Sequence, residues 1–273
     1  MAATDQPACG LQRQWLEDPS VSNGRREHRL DNTTYVGLSR QMTLRRELDI
    51  VANNVANVDT VGFKVESLMT NTEQRRPARD DQLPHAVRFV LDSGVARDFG
   101  QGSLRRTDNP LDVAVEGDAF LTLQTPDGDR YTRDGRLRID AQGRLVSQTG
   151  DPVLSDAGAP LVLRIDGPPP AIAADGTISQ GDQSIGRLGV VRFDNLSALS
   201  KQGEGRFLAD GAEPQAARDV QLRQGMLESS NADPMLEIVK LIELSRAYER
   251  VTKMIDNTQD LSRRAVERLG RSG

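Results

Sequence analysis

The sequence predicts a mainly β protein with terminal α-helices, a central β-rich domain flanked by two helices that pair as a coiled coil. Three observations carry this. A narrow apolar stripe at helical spacing lies near the N-terminus, the middle of the chain alternates with period two between turn signals, and a second capped stripe closes the chain. The expected boundaries are a disordered extension over 1–31, an N-terminal helix and turn over 32–69 and a linker over 70–84. A β-rich domain follows over 85–220, then a C-terminal helix over 221–273.

Residues 1–31 are polar and hold no sustained period, and the Trp15-Leu16 pair stands isolated. From Tyr35 the pattern changes. Leu44, Leu48, Val51, Val55 and Val58 step by four, three, four and three, with Leu38 and Met42 extending the stripe upstream. A spacing of roughly 3.5 residues favours packing against another helix, whereas a helix lying on a globular core carries a broader apolar face. Asn53, Asn54 and Asn57 have modest helix propensity and suit a terminating turn. Gly62 is expected to take the positive φ that ends the helix, with Phe63 docking back on it and Lys64 completing the turn.

Thr70 to Pro84 is polar, carries Pro77 and Pro84, and reads as the linker. Val87, Phe89 and Leu91 then alternate, as do Leu111, Val113 and Val115, and Phe120 leads Leu121 to Leu123. Turn signals separate such runs, among them Glu116-Gly117-Asp118, Pro126-Asp127-Gly128, Asp134-Gly135 and Gln142-Gly143. Pro168-Pro169-Pro170 interrupts the series. Strand-like runs resume at Ile172, Leu188 to Val191 and Arg206 to Leu208, and the β region is expected to end near Asp219.

At the C-terminal end Asp233 is a good N-cap and Pro234 a good first helical residue. Ile238, Leu241, Leu244, Tyr248, Val251 and Ile255 form the stripe, which weakens through Thr258 and Ser262 before an end near Arg268. Glu237 with Lys240, and Glu243 with Arg246, stand at helical neighbour spacing. Tyr248 suits an interface, its hydroxyl at a wet margin.

Chemistry is scarce. At 273 residues the chain can bury a real core, yet aromatics are only 4%. A net charge of −5 disfavours a nucleic-acid partner, because phosphate binding needs clustered cations. Cys9 alone cannot make an intrachain disulfide or a multi-thiolate site, and His28 and His85 are far apart. Asp127-Gly128-Asp129 lacks the ligand order of a calcium loop and reads as turn chemistry. Gly100-Gln101-Gly102 and Gly203-Glu204-Gly205 fall short of a phosphate-binding fingerprint. No residue is therefore assigned to catalysis, to a cofactor or to a metal. No stretch approaches the roughly 18–20 apolar residues of a membrane span, and no apolar signal core opens the chain. This places it in the cytosol or on an export route that reads no such signal.

Several segments together resemble a known family. Asn53 to Lys64, with its Thr60-Val61-Gly62-Phe63-Lys64 ending, is similar to the N-terminal signature of the flagellar basal-body rod and hook proteins. Asn109 to Phe120, Tyr131 to Gly135, Gly143 to Val146, Gln224 to Asn231 and Arg246 to Glu249 resemble further segments of that family in the same order. Tyr35 to Met42 and Val65 to Met69 look most like its proximal-rod members. Ala119 stands where the family commonly has glycine, and residues 1–31 have no family counterpart; a translation start at codon 30 would account for them.

The resemblance implies a structural subunit of the proximal rod, with the coiled coil facing the axis of a helical tube and the β domain outside. The implied assembly residues are Leu38, Met42, Leu44, Leu48, Val51, Val55, Ile238, Leu241, Leu244, Tyr248, Val251 and Ile255, with Asn54, Asn57, Gly62, Phe63 and Lys64 as the signature turn. Implied partners are other rod subunits and the flagellar type III export apparatus, with no nucleic acid, membrane insertion or small-molecule substrate. The implied location is the basal-body rod in the periplasm, reached without a cleaved signal peptide. The helices, far apart in sequence, would be partly ordered in a monomer and completed by neighbours. The alternatives are a distal-rod or hook member, or a soluble β-domain enzyme or binding module with helical oligomerisation arms.

Overall fold

The computed structural model of the protein describes residues 21–75 and 87–270. Helix α1 spans Val21–Ala56 and α2 spans Pro234–Gly270, with short strands between them. α1 stops in the Asn-rich segment. The Asn57 N–H donates to the Asn53 and Asn54 carbonyls, its side-chain amide donates to Asn53 again, and the Thr60 N–H donates to Asn57. At the other end the Asp233 carboxylate accepts the Met235 and Leu236 N–H groups, so the expected cap forms one residue before Pro234.

Three boundaries differ from the sequence reading. α1 begins at Val21, so residues 21–31 are helical rather than a disordered extension, while residues 1–20 lie outside the described residues. A helix already nucleated extends through residues that bring no apolar stripe, since propagation needs only tolerable propensity. The expected linker is strand as far as residue 75: β1 (Glu66–Arg75) pairs antiparallel with β2 (Val87–Arg97) from Glu66 opposite Arg97 to Arg75 opposite Val87. Backbone groups make that ladder, so polar sequence does not forbid it; residues 76–86 lie outside the described residues. The β region also runs past Asp219. Strands Leu222–Gln224 and Met226–Glu228 pair with β4 (Val113–Val115) and β3 (Leu104–Arg106) respectively, returning the chain to the start of the β domain.

The largest sheet is antiparallel, in the order Leu199–Lys201, Arg206–Ala209, β6 (Gly128–Thr132), β5 (Phe120–Thr125), Val190–Arg192 and Gln215–Ala216. Both faces of its centre are buried. Leu121 and Leu123 enter an aliphatic cluster with Val113, Leu145, Val153, Ile178 and Leu188. Phe120 enters an aromatic one with Phe99, Tyr131, Phe193 and Phe207. Ring centroids there lie 4.8–5.9 Å apart in edge-on arrangements. The few aromatics of the chain are thus concentrated where one cluster needs volume. Phe120 and Leu121 are both fully buried because successive strand residues point to opposite faces, each covered.

Candidate assembly interface

The two helices lie side by side and antiparallel. Gly37 faces Ile255, the Gln41 amide donates to the Thr252 hydroxyl at 3.0 Å, and the Asn54 amide donates to the Glu237 carboxylate at 2.9 Å. A Cβ on Gly37 would stand 3.0 Å from Ile255 Cγ1, so this glycine lets the helices approach closely. On α1, Leu44 and Val51 are buried and Leu48 and Val55 half-buried. On α2, Leu241, Leu244, Tyr248, Val251 and Ile255 are half-buried, and Thr258 and Ser262 remain shielded beyond them.

The expected seam shifts at both ends. Leu38 and Met42 are exposed, Met42 to 67%, because Gly37 and Gln41 take the contact positions one residue earlier. At about 100° per residue, one position turns a side chain out of the seam. Ile238 is exposed as well, displaced by Glu237, which is 2% exposed and held by Asn54 and by Lys240 at 2.6 Å. A buried carboxylate in a seam is invisible to an apolar-stripe reading. Its one mark in the sequence is the helical neighbour spacing of Glu237 and Lys240, which by itself does not tell a buried pair from a solvated one.

Where the helices meet the β domain, side chains from distant parts of the chain converge. Lys64 donates to Glu228 at 2.6 Å and to the Gly100 carbonyl at 2.8 Å. Arg133 donates to the other Glu228 oxygen at 3.2 Å and to the Gly117 carbonyl at 2.6 Å, and its guanidinium lies 4.9 Å from the Phe120 ring centre. The Gly102 N–H also donates to Glu228. All three side chains are almost wholly buried, two cations on one carboxylate. Burial pushes the Lys64 ammonium below its ordinary value, with Glu228 opposing, and lowers Arg133 for the same reason.

Gly62 belongs to this junction rather than to the helix end. It has the expected positive φ of 67°, but it lies beyond Ala56 in the following turn, where its N–H donates to the Glu228 carbonyl. A Cβ there would stand 2.7 Å from the Arg133 backbone. Phe63 is buried with the Lys201 ammonium 4.8 Å from its ring centre. Asn54 exchanges hydrogen bonds with the Glu66 backbone, and the Asn231 side chain accepts the Val65 N–H and donates to the Asp98 and Gly100 carbonyls. The turn residues were named from sequence, but Glu228 and Arg133 were not singled out.

Three family descriptions match the chain in order: flagella basal body rod protein over 35–64, flagellar hook protein FlgE/F/G D1 domain over 114–192, and flagellar basal body rod FlgEFG protein C-terminal over 223–268. The flagellar basal-body rod protein FlgF of Caulobacter vibrioides is 51% identical over 243 residues, covering 89% of this chain and 99% of that protein. The chain belongs to the flagellar basal-body rod protein family. FlgF of Mesorhizobium japonicum is 37% identical over 88% of the chain and 99% of its own length. A FlgG of Buchnera aphidicola is 34% identical over 78% of the chain and 90% of its own length.

In this rod-family chain the three matched regions are the parts that the buried junction ties together. Lys64 comes from the first, Arg133 from the second and Glu228 from the third. Beyond the junction, large apolar side chains stay exposed on the helices: Tyr35, Leu38 and Met42 on α1, and Met235, Leu236, Ile238, Val239 and Ile242 on α2. Among the described residues no helix is long and apolar enough to cross a membrane.

Proposed function

We propose that this chain is a subunit of the proximal flagellar rod that assembles through its terminal helices. As a rod-family member it is a structural flagellar protein and not an enzyme. The observation that carries the finer reading is a helix pair with apolar outer faces, held on its β domain by the junction at Lys64, Arg133 and Glu228. Apolar side chains exposed on two long helices invite neighbouring helices. The seam residues Leu44, Leu48, Val51, Val55, Leu241, Leu244, Tyr248, Val251 and Ile255 hold the pair in coiled-coil fashion, while Leu38, Met42 and Ile238 face other subunits.

Support for the proximal assignment over a distal-rod or hook role comes from the FlgF proteins of Caulobacter vibrioides and Mesorhizobium japonicum, which match at 51% and 37% identity against 34% for the FlgG of Buchnera aphidicola. On this reading the partners are other rod subunits and the flagellar type III export apparatus, and the chain reaches the periplasmic part of the basal body without a cleaved signal peptide. Neighbours complete the burial of the helices, so helix content rises on assembly.

The test is peptide mass spectrometry on basal bodies purified from the bacterium that encodes the chain. The expected result is its peptides in the rod fraction, lost when residues 234–270 are deleted. Absence from well-covered basal bodies overturns the assignment.

A further inference from the structure

A cavity of about 180 Å³ opens on the β domain, lined by no residue of either helix. Thr122 of β5 and Tyr131 of β6 stand directly opposite in the ladder, and Asp129 lies two residues from Tyr131, so the three share one face of the sheet. Thr122 and Tyr131 are buried, 8% and 6% exposed, and form the floor. Asp129 and Asp156 are exposed and stand at the mouth. The Thr122 hydroxyl makes no hydrogen bond. Among the described residues none is made by the Tyr131 hydroxyl or by either carboxylate. A buried polar group without a partner is rare enough to call for an explanation. Rotation about χ1 exchanges the Thr122 hydroxyl with its methyl and turns it to a donor that enters.

The lining is suited to accepting hydrogen bonds. The Gly158 and Gly189 N–H groups already donate to the Ser155 and Leu154 carbonyls, which leaves hydroxyls and carboxylates to meet a ligand. Charge is one-sided as well. No lysine or arginine lines the cavity, and nearby Arg130 spends its guanidinium on the Asp127 and Asp129 carbonyls. Burial pushes the Tyr131 phenol above its ordinary value and Asp129 pushes it further, with Arg130 opposing. The volume lies below the roughly 300 Å³ at which small-molecule pockets begin, so the cavity is sized for a single side chain. Tyr131 is packed edge-on against Phe193 at 4.8 Å, which leaves no open aromatic face to stack a sugar or a base. We propose that this cavity receives the guanidinium of an arginine presented by another polypeptide. Arginine sets a planar fork of five N–H donors on an apolar stem. The fork meets Thr122, Tyr131 and the two carboxylates, and the stem lies along Leu154 and Pro214. This contact does not rest on the rod assignment, since the helices take no part in it.

The test titrates acetyl-Gly-Arg-Gly-amide, and its citrulline and lysine counterparts, into the full chain carrying isotope-labelled tyrosine. Tyr35→Phe and Tyr248→Phe variants identify the Tyr131 resonance among the three tyrosines. The arginine peptide should shift that resonance saturably, and the neutral citrulline isostere should bind at least about tenfold more weakly. Thr122→Val removes a hydroxyl that has no partner, and Asp129→Asn changes an exposed side chain, so both variants should fold. Each should weaken the arginine peptide by about tenfold. An unmoved Tyr131 resonance, or equal binding of the citrulline peptide, would overturn the site. Lysine binding as tightly as arginine would overturn the guanidinium assignment, and unchanged binding in both variants would place the contact elsewhere. In cells, a photoreactive residue at Pro214 should link to a peptide that contains arginine, and the double variant Thr122→Val with Asp129→Asn should lose that link. A link to a peptide without arginine, or one that survives the double variant, would sink the inference. Either failure leaves the rod assignment untouched.

Discussion

Glu228 is the residue on which the junction turns. Its two oxygens hold Lys64 and Arg133, cations separated by most of the β domain's first half in sequence. Removing one member of a buried ion cluster leaves the others charged and unpaired, which costs about 3–5 kcal/mol. Glu228→Ala is therefore expected to lower stability by about that amount, read as the shift of a chemical denaturation curve. Lys64 gives a pH signature of opposite sense to a stabilising salt bridge. Its folded-state value lies below the ordinary 10.5, so between the two values the unfolded chain binds more protons and stability rises with pH. A Lys64→Met variant should lack that rise in the alkaline interval up to 10.5. Equal slopes for both proteins there would remove the assignment. Lys64 and Gly62 were legible as part of a signature turn. Their partners Glu228 and Arg133 lay within two further resembling segments, but the pairing itself was not legible, because side chains that meet only in space leave no mark on local spacing.

At the scale of the element, the helices were legible and their exact faces were not. The spacing of Leu44, Leu48, Val51 and Val55 coincides with buried and half-buried positions of α1, and Asp233 with Pro234 predicted the start of α2. The upstream extension of the stripe failed by one residue, since close packing selected Gly37 and hydrogen bonding selected Gln41 over their more apolar neighbours. Two substitutions separate the faces in the dilute chain. Leu44→Ala should cost about 2–5 kcal/mol, as for other large core side chains. Leu38→Ala, at an exposed position, should stay within about 0.5 kcal/mol. Similar losses at both sites would show that Leu38 packs within the pair after all. The cap is a separate measure: Asp233→Ala should cost about 1 kcal/mol through the two N–H groups it leaves without that acceptor. The polar strand β1 escaped the reading for a different reason, in that its ladder depends on backbone groups and on β2.

For the whole molecule, the chain leaves through the β domain and returns to the same place. Strands Leu222–Gln224 and Met226–Glu228 bring α2 back beside α1 by pairing with β4 and β3. The junction then sets the helix pair against the β domain. Deleting residues 234–270 strips the cover from Leu44 and Val51, and the truncated chain is expected to lose specific self-association in sedimentation velocity. Retention of concentration-dependent assembly by that truncation would place the contacts in the β domain.

The amino-acid sequence by itself determined the mainly β class with two terminal helices, the Asp233 cap of α2, the central β region and the absence of any recognisable catalytic or metal-binding motif. Each of these follows from local spacing, turn chemistry or composition. Only the tertiary structure decided that Lys64, Arg133 and Glu228 form one buried cluster, that Gly37 and Gln41 occupy the seam, and that Leu38, Met42 and Ile238 face outward. The physical reason is that periodicity fixes which residues share a face, while the neighbour across that face decides which of them is buried.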